Sequence, residues 1–323
     1  MLLNNKELVF TGPFKDLIPK YIKYKQNMGY AYNYDYSKRL KQMDNFFKKY
    51  TKKDNILTKK MVLDFVKKRD NESNSTTCKR CALIRGFAKF LKELGCENVY
   101  ILPSQYIPKQ QTNFIPHIFS HDEMDKLFNI IDNFHFGSNY LNEHNIYSVL
   151  IRLLYSCGLR ISEALSLKVS DINFTNSIIQ VLHSKNNCSR IIVISDSISK
   201  ILKEYINKEN LTNESLIFSS PCGNKYSQSA VLRMFKQFFK KANIYTNDSK
   251  LPRIHDFRHT FSVHSLQKMI DSGTDIYCAL PFLSSYLGHT NIYSTEKYVR
   301  LVEECFEELR NANSNIFPEV NQP

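Results

Sequence analysis

A change in sequence pattern at residues 97–118 constrains the fold more than any other feature of the chain. Pro103, Pro108 and Pro116 lie there among Gln, Asn and Tyr residues, between long stretches with helical periodicity. Proline fixes φ and lacks an amide donor, so such a stretch is typical of a linker. The lengths on either side are each sufficient for a hydrophobic core. The sequence therefore predicts an N-terminal domain, a linker, a second domain and a flexible tail, over residues 12–96, 97–118, 119–311 and 312–323.

The excess of positive charge lies almost entirely in the first of these domains. Residues 1–110 contain 23 Lys and Arg against 10 Asp and Glu, a net charge of +13, whereas residues 111–323 contain 21 of each. A basic domain beside a neutral one is typical of a protein that binds a polyanion, with nucleic acid favoured over an anionic membrane. A lysine-rich, solvated surface in an organism with AT-biased codons would also account for this composition.

The sequence shows no signal for secretion or membrane insertion. Residues 1–6 lack the apolar core of a signal peptide, and no run of about 18 apolar residues occurs. The eight cysteines are therefore expected to be free thiols in a reducing cytoplasm. Cys78 and Cys81 form a CxxC pair, but no second pair follows at the spacing of a zinc site. We expect a cytoplasmic protein without metal, cofactor or membrane partner.

Apolar residues recur at helical spacing on both sides of the linker, which predicts a mainly α fold with a small antiparallel β-sheet. About four helices are expected in residues 14–95, the last opened by Ser75 or Thr76. Ser120 and Glu123 form a capping box at the start of the second domain. Two Ile- and Val-rich strands and four helices are predicted to follow, over residues 177–183, 190–195, 197–207, 227–242, 257–272 and 295–310.

Six side chains in the second domain could carry chemistry. They are Arg160, Lys185, His255, Arg258, His289 and Tyr298. Taken singly, each has an ordinary structural explanation, such as a surface ion pair, a helix cap or a packed ring. Taken together, they fit the breakage of a phosphodiester bond by an enzyme nucleophile.

That reaction requires a hydroxyl that can form a phosphoester, and Tyr298 supplies one. It requires fixed cations on the non-bridging oxygens, for which two arginine forks are suited. A lysine at the tip of the hairpin can serve as the acid for the departing 5′-oxygen. His255 and His289 are the candidate bases or hydrogen-bond partners of the nucleophile. Glu163 is predicted to orient Arg160 or His255, and His259 is a second supporting residue.

Three segments carry a resemblance to a known family. Gly158–Leu165 contains Arg160, His255–Thr260 contains Arg258, and Leu287–His289 is followed by Tyr298. In order and in approximate spacing, this set resembles the tyrosine recombinases, which include phage integrases, Xer proteins and transposon-borne integrases. The resemblance covers residues 119–310; residues 14–95 resemble the family's helical, SAM-like core-binding domain only in composition and helix number.

The resemblance implies a C-shaped clamp of two domains around duplex DNA, without metal or nucleotide. It implies that Tyr298 forms a 3′-phosphotyrosine and that Lys185 protonates the 5′-hydroxyl. Arg160, Arg258, His255 and His289 would hold the phosphate. It further implies a homotetramer on DNA, with a dimer at each core site, a Holliday junction, and a role for an accessory DNA-bending or excision factor.

Two departures from the family pattern leave alternatives open. The 31-residue spacing from Arg258 to His289 is longer than in many members, which favours a mobile-element enzyme over an Xer-type chromosome dimer resolvase. Tyr293 lies five residues before Tyr298 and is a rival nucleophile. The other readings are a catalytically silent DNA-binding protein of the same fold, a type IB topoisomerase and a telomere resolvase.

Overall fold

The chain forms two compact units, Met1–Phe114 and Ile115–Pro323. The computed structural model describes residues 8–30, 32, 34–50, 56–109, 115–134, 143–182, 189–220, 223–289, 293–296 and 298–302. In these ranges, no helix is both long enough and apolar enough to cross a bilayer.

The first unit contains four α-helices in its described part, in agreement with the predicted number. They are α1 Leu17–Asn27, α2 Tyr34–Phe47, α3 Lys59–Val66 and α4 Asn74–Glu93. Thr58 caps α3, as predicted, because its hydroxyl accepts the amide of Met61 at 3.3 Å. The prediction for α4 was wrong by two or three residues. Ser73, whose backbone is extended, is the N-cap and accepts the amide of Thr76.

A buried carboxylate holds the start of the first unit on its aromatic core. Asp44 of α2 is fully buried and accepts the amides of Gly12 at 2.6 Å and Phe14 at 2.8 Å. Position 12 must be glycine, since a Cβ there would lie 2.4 Å from the Asp44 carboxyl. The two bonds seat the Phe14 ring edge-on against Phe47 and Phe87.

The first unit extends into the stretch that the sequence assigned to a linker. Val99 pairs with Leu57 in a parallel bridge, Val99 and Leu102 are buried in the core of the first unit, and Ser104–Tyr106 form a 3-10 turn. The division between the units falls after Phe114, within the stretch of residues 97–118 that the sequence assigned to the linker. The reason is that the apolar side chains just before Pro103 have a core within reach, and burying them favours order over a free linker.

The second unit combines helices with a three-stranded antiparallel sheet, so the predicted fold class is confirmed. The helices are α5 His121–Asp132, α6 Glu143–Cys157, α7 Ile161–Ala164, α8 Asp196–Lys208, α9 Gln228–Lys241, α10 Ile254–Asp271, α11 Ile276–Leu287 and α12 Tyr293–Glu296. The strands, in sheet order, are β1 Ile172–Asn173, β2 Ile178–Val181 and β3 Arg190–Val193. Ile179 lies opposite Ile172 on one side and Ile192 on the other. The predicted capping box of Ser120 and Glu123 starts α5.

Helix α10 is buried on most sides, which allows it to place polar side chains in the interior. It packs against α6 and α11. Phe257 stacks on Phe119 with ring centroids 4.7 Å apart, and Thr260 accepts the Phe119 amide at 3.0 Å. Arg258 and His259, which lie between these anchors, therefore have fixed positions inside the unit.

The last predicted helix, over residues 295–310, differs from the structure. Helix α12 ends at Glu296, and Val299–Leu301 form a 3-10 turn. Tyr298 lies between them, with its amide bonded to the carbonyl of Thr295 and its carbonyl accepting the amide of Leu301. These three-residue steps are typical of a tightened chain rather than a regular α-helix. Residues 303–310 lie outside the described part of the chain.

Candidate active site

Arg258 connects two of the segments that the sequence analysis selected. Its side chain is 1 % exposed, and it donates through Nη1 to the Gly158 carbonyl at 2.7 Å and through Nη2 to the Leu287 carbonyl at 2.6 Å. Burial lowers the pKa of Arg258 to about 10, and the charge of Arg160 acts in the same direction. The guanidinium therefore stays charged at neutral pH.

Both glycines at these junctions have left-handed backbones. Gly158 has a φ of +58°, and a Cβ there would lie 2.4 Å from Cδ1 of Phe261. Gly288 has a φ of +66° and ends α11. Only glycine adopts this conformation without strain. The turn at Gly158 brings its carbonyl to Arg258 and places Arg160 at the start of α7.

Glu163 holds Arg160. The Arg160 amide donates to Glu163 Oε2 at 2.9 Å, and Nη1 donates to Oε1 at 2.7 Å. The sequence offered Arg160 and His255 as partners for this carboxylate, and the structure shows the contact with Arg160. The Arg160 side chain keeps 21 % of its surface exposed, whereas the Glu163 side chain keeps 4 %. The carboxylate is thus an interior support for an arginine that reaches the surface.

Sequence reasoning missed the second cation on Glu163. Arg190, the first residue of β3, donates to Oε1 at 3.1 Å and to Oε2 at 2.9 Å, and its Nε donates to the Tyr286 carbonyl at 2.9 Å. Burial alone would raise the pKa of Glu163, but the bonds and charges of Arg190 and Arg160 outweigh it and lower the pKa to about 2. The sequence contains a pattern that predicts an inward-facing side chain at Arg190. Alternation along a strand puts Arg190 on the same face as Ile192, which is fully buried.

The hydroxyl of Tyr298 is hydrogen-bonded to His259. Tyr298 is 1 % exposed, and its hydroxyl lies 3.0 Å from Nδ1 of His259. The ring of His255 stands edge-on to that of His259, with centroids 4.8 Å apart. The sequence predicts His255 and His289 as candidate partners of the nucleophile and His259 only as a supporting residue. The structure thus shows a hydrogen bond from the phenol to a histidine that the sequence had given only a supporting role.

Burial raises the pKa of Tyr298, while the Ser262 hydroxyl and the charges of Arg258 and Arg160 oppose that rise. The side chain is consequently a neutral phenol at neutral pH. It lies within electrostatic reach of both arginines. Such an arrangement favours proton removal only when a base accepts the proton during the reaction.

His289 is connected to the backbone of Tyr298 through a buried threonine. Nδ1 of His289 lies 2.8 Å from the hydroxyl of Thr295, which is fully buried. The carbonyl of Thr295 accepts the Tyr298 amide at 2.9 Å. The segment around Leu287 and His289 therefore fixes both Arg258 and the turn that carries the tyrosine.

Two of the residues selected from the sequence have side chains outside the described part of the chain. Lys185 lies in residues 183–188, outside the described part of the chain, and so does the side chain of Tyr293. The strands on either side of residues 183–188 are β2 and β3, and β3 begins with Arg190.

The cysteines and other metal-ligating residues form no metal centre in the described ranges. No group of three His, Cys, Asp or Glu side chains suited to a metal ion occurs there. In the first unit, Cys81 is buried, and the thiol of Cys78 donates to the Pro108 carbonyl at 2.9 Å.

The geometry defines a class of protein, since two arginine forks and a tyrosine hydroxyl grouped around one buried helix are suited to phosphoryl transfer to an enzyme side chain. Residues 117–304 match the phage integrase family, which is more than half of the chain. The chain belongs to this family, the tyrosine-type site-specific recombinases.

Curated relatives agree with this assignment. A putative integrase/recombinase of Sinorhizobium fredii is 24 % identical over 261 residues, covering 78 % of this chain and 82 % of the relative. The tyrosine recombinase XerD of Oceanobacillus iheyensis is 28 % identical over 255 residues, covering 76 % and 77 %.

Solved structures share the fold. The XerH site-specific recombinase, in a post-cleavage complex with a palindromic difH substrate, matches with a TM-score of 0.62 at 19 % identity, covering 87 % of this chain and 78 % of XerH. The Tn1549 transposon integrase, in complex with transposon right end DNA, matches with a TM-score of 0.60 at 14 % identity, covering 86 % and 92 %.

Proposed function

We propose that the chain is the integrase of a mobile element, which cleaves and rejoins DNA through a 3′-phosphotyrosine at Tyr298 and a Holliday junction. One observation carries the proposal. The Tyr298 hydroxyl is bonded to His259, the neighbour in sequence of the doubly anchored Arg258. A nucleophile, a proton acceptor and a fixed cation thus occupy adjacent positions.

In the proposed reaction, the Tyr298 oxygen attacks the scissile phosphorus as its proton passes to His259. The bond from phosphorus to the 5′-oxygen breaks, and Lys185 gives a proton to that oxygen. Arg160 and Arg258, with His255 and His289, neutralise the charge that grows on the non-bridging oxygens. The phosphotyrosine keeps the bond energy, so rejoining is the reverse of cleavage and the reaction calls for no cofactor.

The buried state of Tyr298 adds a step before chemistry. A side chain that is 1 % exposed cannot reach a phosphate in the solvent. We therefore expect DNA binding to shift the turn at residues 298–302 enough to admit the scissile phosphate beside Tyr298 while the hydrogen bond to His259 is kept. The turn is suited to such movement because its hydrogen bonds span only three residues.

The partner in this proposal is duplex DNA in the cytoplasm, with phosphate contacts from each unit. In the first unit, the exposed side chains of Arg39, Arg69 and Lys79 line a common cavity and are candidates for phosphate contacts. Residues 12–96 would form the core-binding domain and residues 119–311 the catalytic domain. A dimer at each core site and a tetramer during exchange, with an accessory bending or excision factor, complete the proposed assembly.

Two other functions remain as outcomes of experiment. An Xer-type dimer resolvase is supported by the similarity to XerD. A silent DNA-binding protein of the same fold would keep the architecture without the reaction. The 31-residue spacing from Arg258 to His289 is the sequence feature that supports the mobile-element assignment.

A covalent-trapping experiment tests the reaction. Full-length protein is incubated in EDTA with nicked suicide duplexes that carry candidate element ends, and adducts are separated on a denaturing gel. Tyr298→Phe should abolish the adduct, whereas the matched control Tyr293→Phe should retain it. Loss in Tyr293→Phe alone would transfer the nucleophile to that residue. DNA binding without any adduct in wild type would support the silent DNA-binding protein.

The sequence of the joined products separates the biological roles. We expect cleavage at two inverted ends that flank the gene, followed by appearance of a circular junction. Cleavage confined to one chromosomal site, with no circular junction, would identify a dimer resolvase instead.

A further inference from the structure

Arg190 lies where three parts of the proposed active site meet. It begins β3, five residues after Lys185 in the chain. It donates two hydrogen bonds to Glu163, which also holds Arg160, and one to the carbonyl of Tyr286 near the end of α11. The side chains of the Arg190–Glu163 pair are 8 % and 4 % exposed. A bidentate pair at such burial has a fixed geometry.

We propose that Arg190 is a positioning residue for phosphoryl transfer. By sharing the carboxylate of Glu163, Arg190 leaves a net positive charge on the side of the cluster where Arg160 faces the phosphate. The inference rests on the proposed recombinase reaction, and it concerns a residue that touches no reacting atom.

The charge balance around Glu163 explains this role. A single carboxylate opposite two guanidinium groups leaves a net charge of about +1 in the Glu163 cluster. Without Arg190, the full negative charge of Glu163 would face Arg160 alone, and the pair would be neutral. A neutral pair in a protein interior attracts a phosphate far less than a cation does. Arg190 therefore sets how much positive charge Arg160 presents at its exposed edge.

The same side chain connects strand β3 to the C-terminal end of α11, where Leu287 holds Arg258 and the loop at Gly288 begins. The Tyr286 carbonyl, bonded to Arg190 Nε, immediately precedes the Leu287 carbonyl, which accepts from Arg258. A Cβ added at Gly288 would lie 3.0 Å from Arg190 Cδ. This contact shows how closely the loop backbone approaches the arginine stem. Displacing Arg190 would consequently disturb both arginines, one through charge and one through the loop.

Single-turnover cleavage of a suicide duplex at saturating DNA tests the inference, with the dissociation constant for DNA measured in parallel. Arg190→Met should slow adduct formation about 10- to 100-fold, as loss of a supporting residue does elsewhere. It should leave the dissociation constant within about threefold. Arg190→Lys, which keeps the charge and loses the fork, should fall between wild type and Arg190→Met.

The double variant Arg190→Met with Glu163→Gln gives the sharper readout. Removing the carboxylate frees Arg160 from its neutralising partner, so the double variant should cleave faster than Arg190→Met alone. Because the double variant leaves Arg160 without its carboxylate partner, cleavage is compared per folded molecule, with the folded fraction measured by circular dichroism. A purely structural role for Arg190 predicts the opposite order, because the double variant has lost both halves of the ion pair.

Arg152→Met is the matched control. Arg152 of the same unit donates through two nitrogens to Asp132, so its loss also breaks a bidentate ion pair. We expect a lower melting temperature with an unchanged cleavage rate per folded molecule. The inference is overturned if Arg190→Met cleaves within twofold of wild type, or if the double variant is no faster than Arg190→Met. Absence of any adduct in wild type would instead overturn the proposed reaction itself.

Discussion

Replacing Gly158 by alanine should damage the second unit by two separable effects. The left-handed backbone at φ +58° costs a non-glycine residue about 1–2 kcal/mol. The new Cβ would lie 2.4 Å from Phe261 Cδ1, and the overpacking needed to relieve that contact adds about 1–3 kcal/mol. The sum is about 2–5 kcal/mol of lost stability. For a unit of this size it corresponds to a fall in melting temperature of about 4–20 °C.

Gly273→Ala is the matched control for the backbone effect. Gly273 also has a positive φ, +84°, but a Cβ there meets nothing within 4 Å. We expect it to lose only the first contribution, about 1–2 kcal/mol. Thermal unfolding followed by circular dichroism measures both variants under the same conditions. In a Phe261→Ala background, the cost of Gly158→Ala should drop to that of Gly273→Ala, because the clashing ring is gone.

The functional loss from Gly158→Ala should exceed what unfolding explains. The Gly158 carbonyl is an acceptor for Arg258, so a shifted peptide moves that guanidinium. Adduct formation per folded molecule should therefore fall in Gly158→Ala and not in Gly273→Ala. Equal melting temperatures for the two variants would refute the steric reasoning, and equal cleavage rates would refute the proposed link to Arg258.

Three further changes test other parts of the structure. Asp44→Ala leaves two buried backbone amides without a hydrogen-bond acceptor. It should lower the free energy of unfolding, measured by urea titration, by about 2–5 kcal/mol. The control Asp35→Ala, at an exposed position, should cause almost no change. Since the folded pKa of Glu163 is lowered to about 2, its contribution to stability is complete above the unfolded pKa near 4.5 and is lost as pH falls from about 5 towards 2. Melting temperatures of Glu163→Gln should vary less across that window than those of wild type, and an equal slope would contradict the ion pairing. His259→Phe should slow adduct formation about 10²- to 10⁴-fold at neutral pH with unchanged DNA affinity, whereas a wild-type rate would exclude this histidine as the proton acceptor.

Periodicity and residue chemistry were sufficient to predict much of this protein. The helices, the antiparallel hairpin strands and the capping box of Ser120 depend on interactions within a few residues, which a sequence displays directly. The structure also brings Arg160, Arg258 and Tyr298, which lie in three separate segments of the sequence, within electrostatic reach of one another.

The features that sequence reasoning missed depend on contacts between distant segments. The bond of His259 to Tyr298 spans 39 residues, and the bond of Arg190 to Tyr286 spans 96. Local pattern also failed at residues 97–109, where prolines indicated a linker although Leu102 is fully buried in the core of the first unit. Tertiary burial decides such cases, and it cannot be read from spacing alone.

The sealed position of Tyr298 has a consequence for a genome that contains this protein. The basic first unit attracts the protein to any duplex, because phosphate contacts carry no sequence information. An enzyme with an exposed nucleophile would nick chromosomal DNA wherever it rested. If Tyr298 is the nucleophile, as proposed, a phenol that is 1 % exposed and bonded to His259 would leave such encounters harmless. The fidelity of the proposed recombinase would then depend on the free energy needed to expose this one side chain.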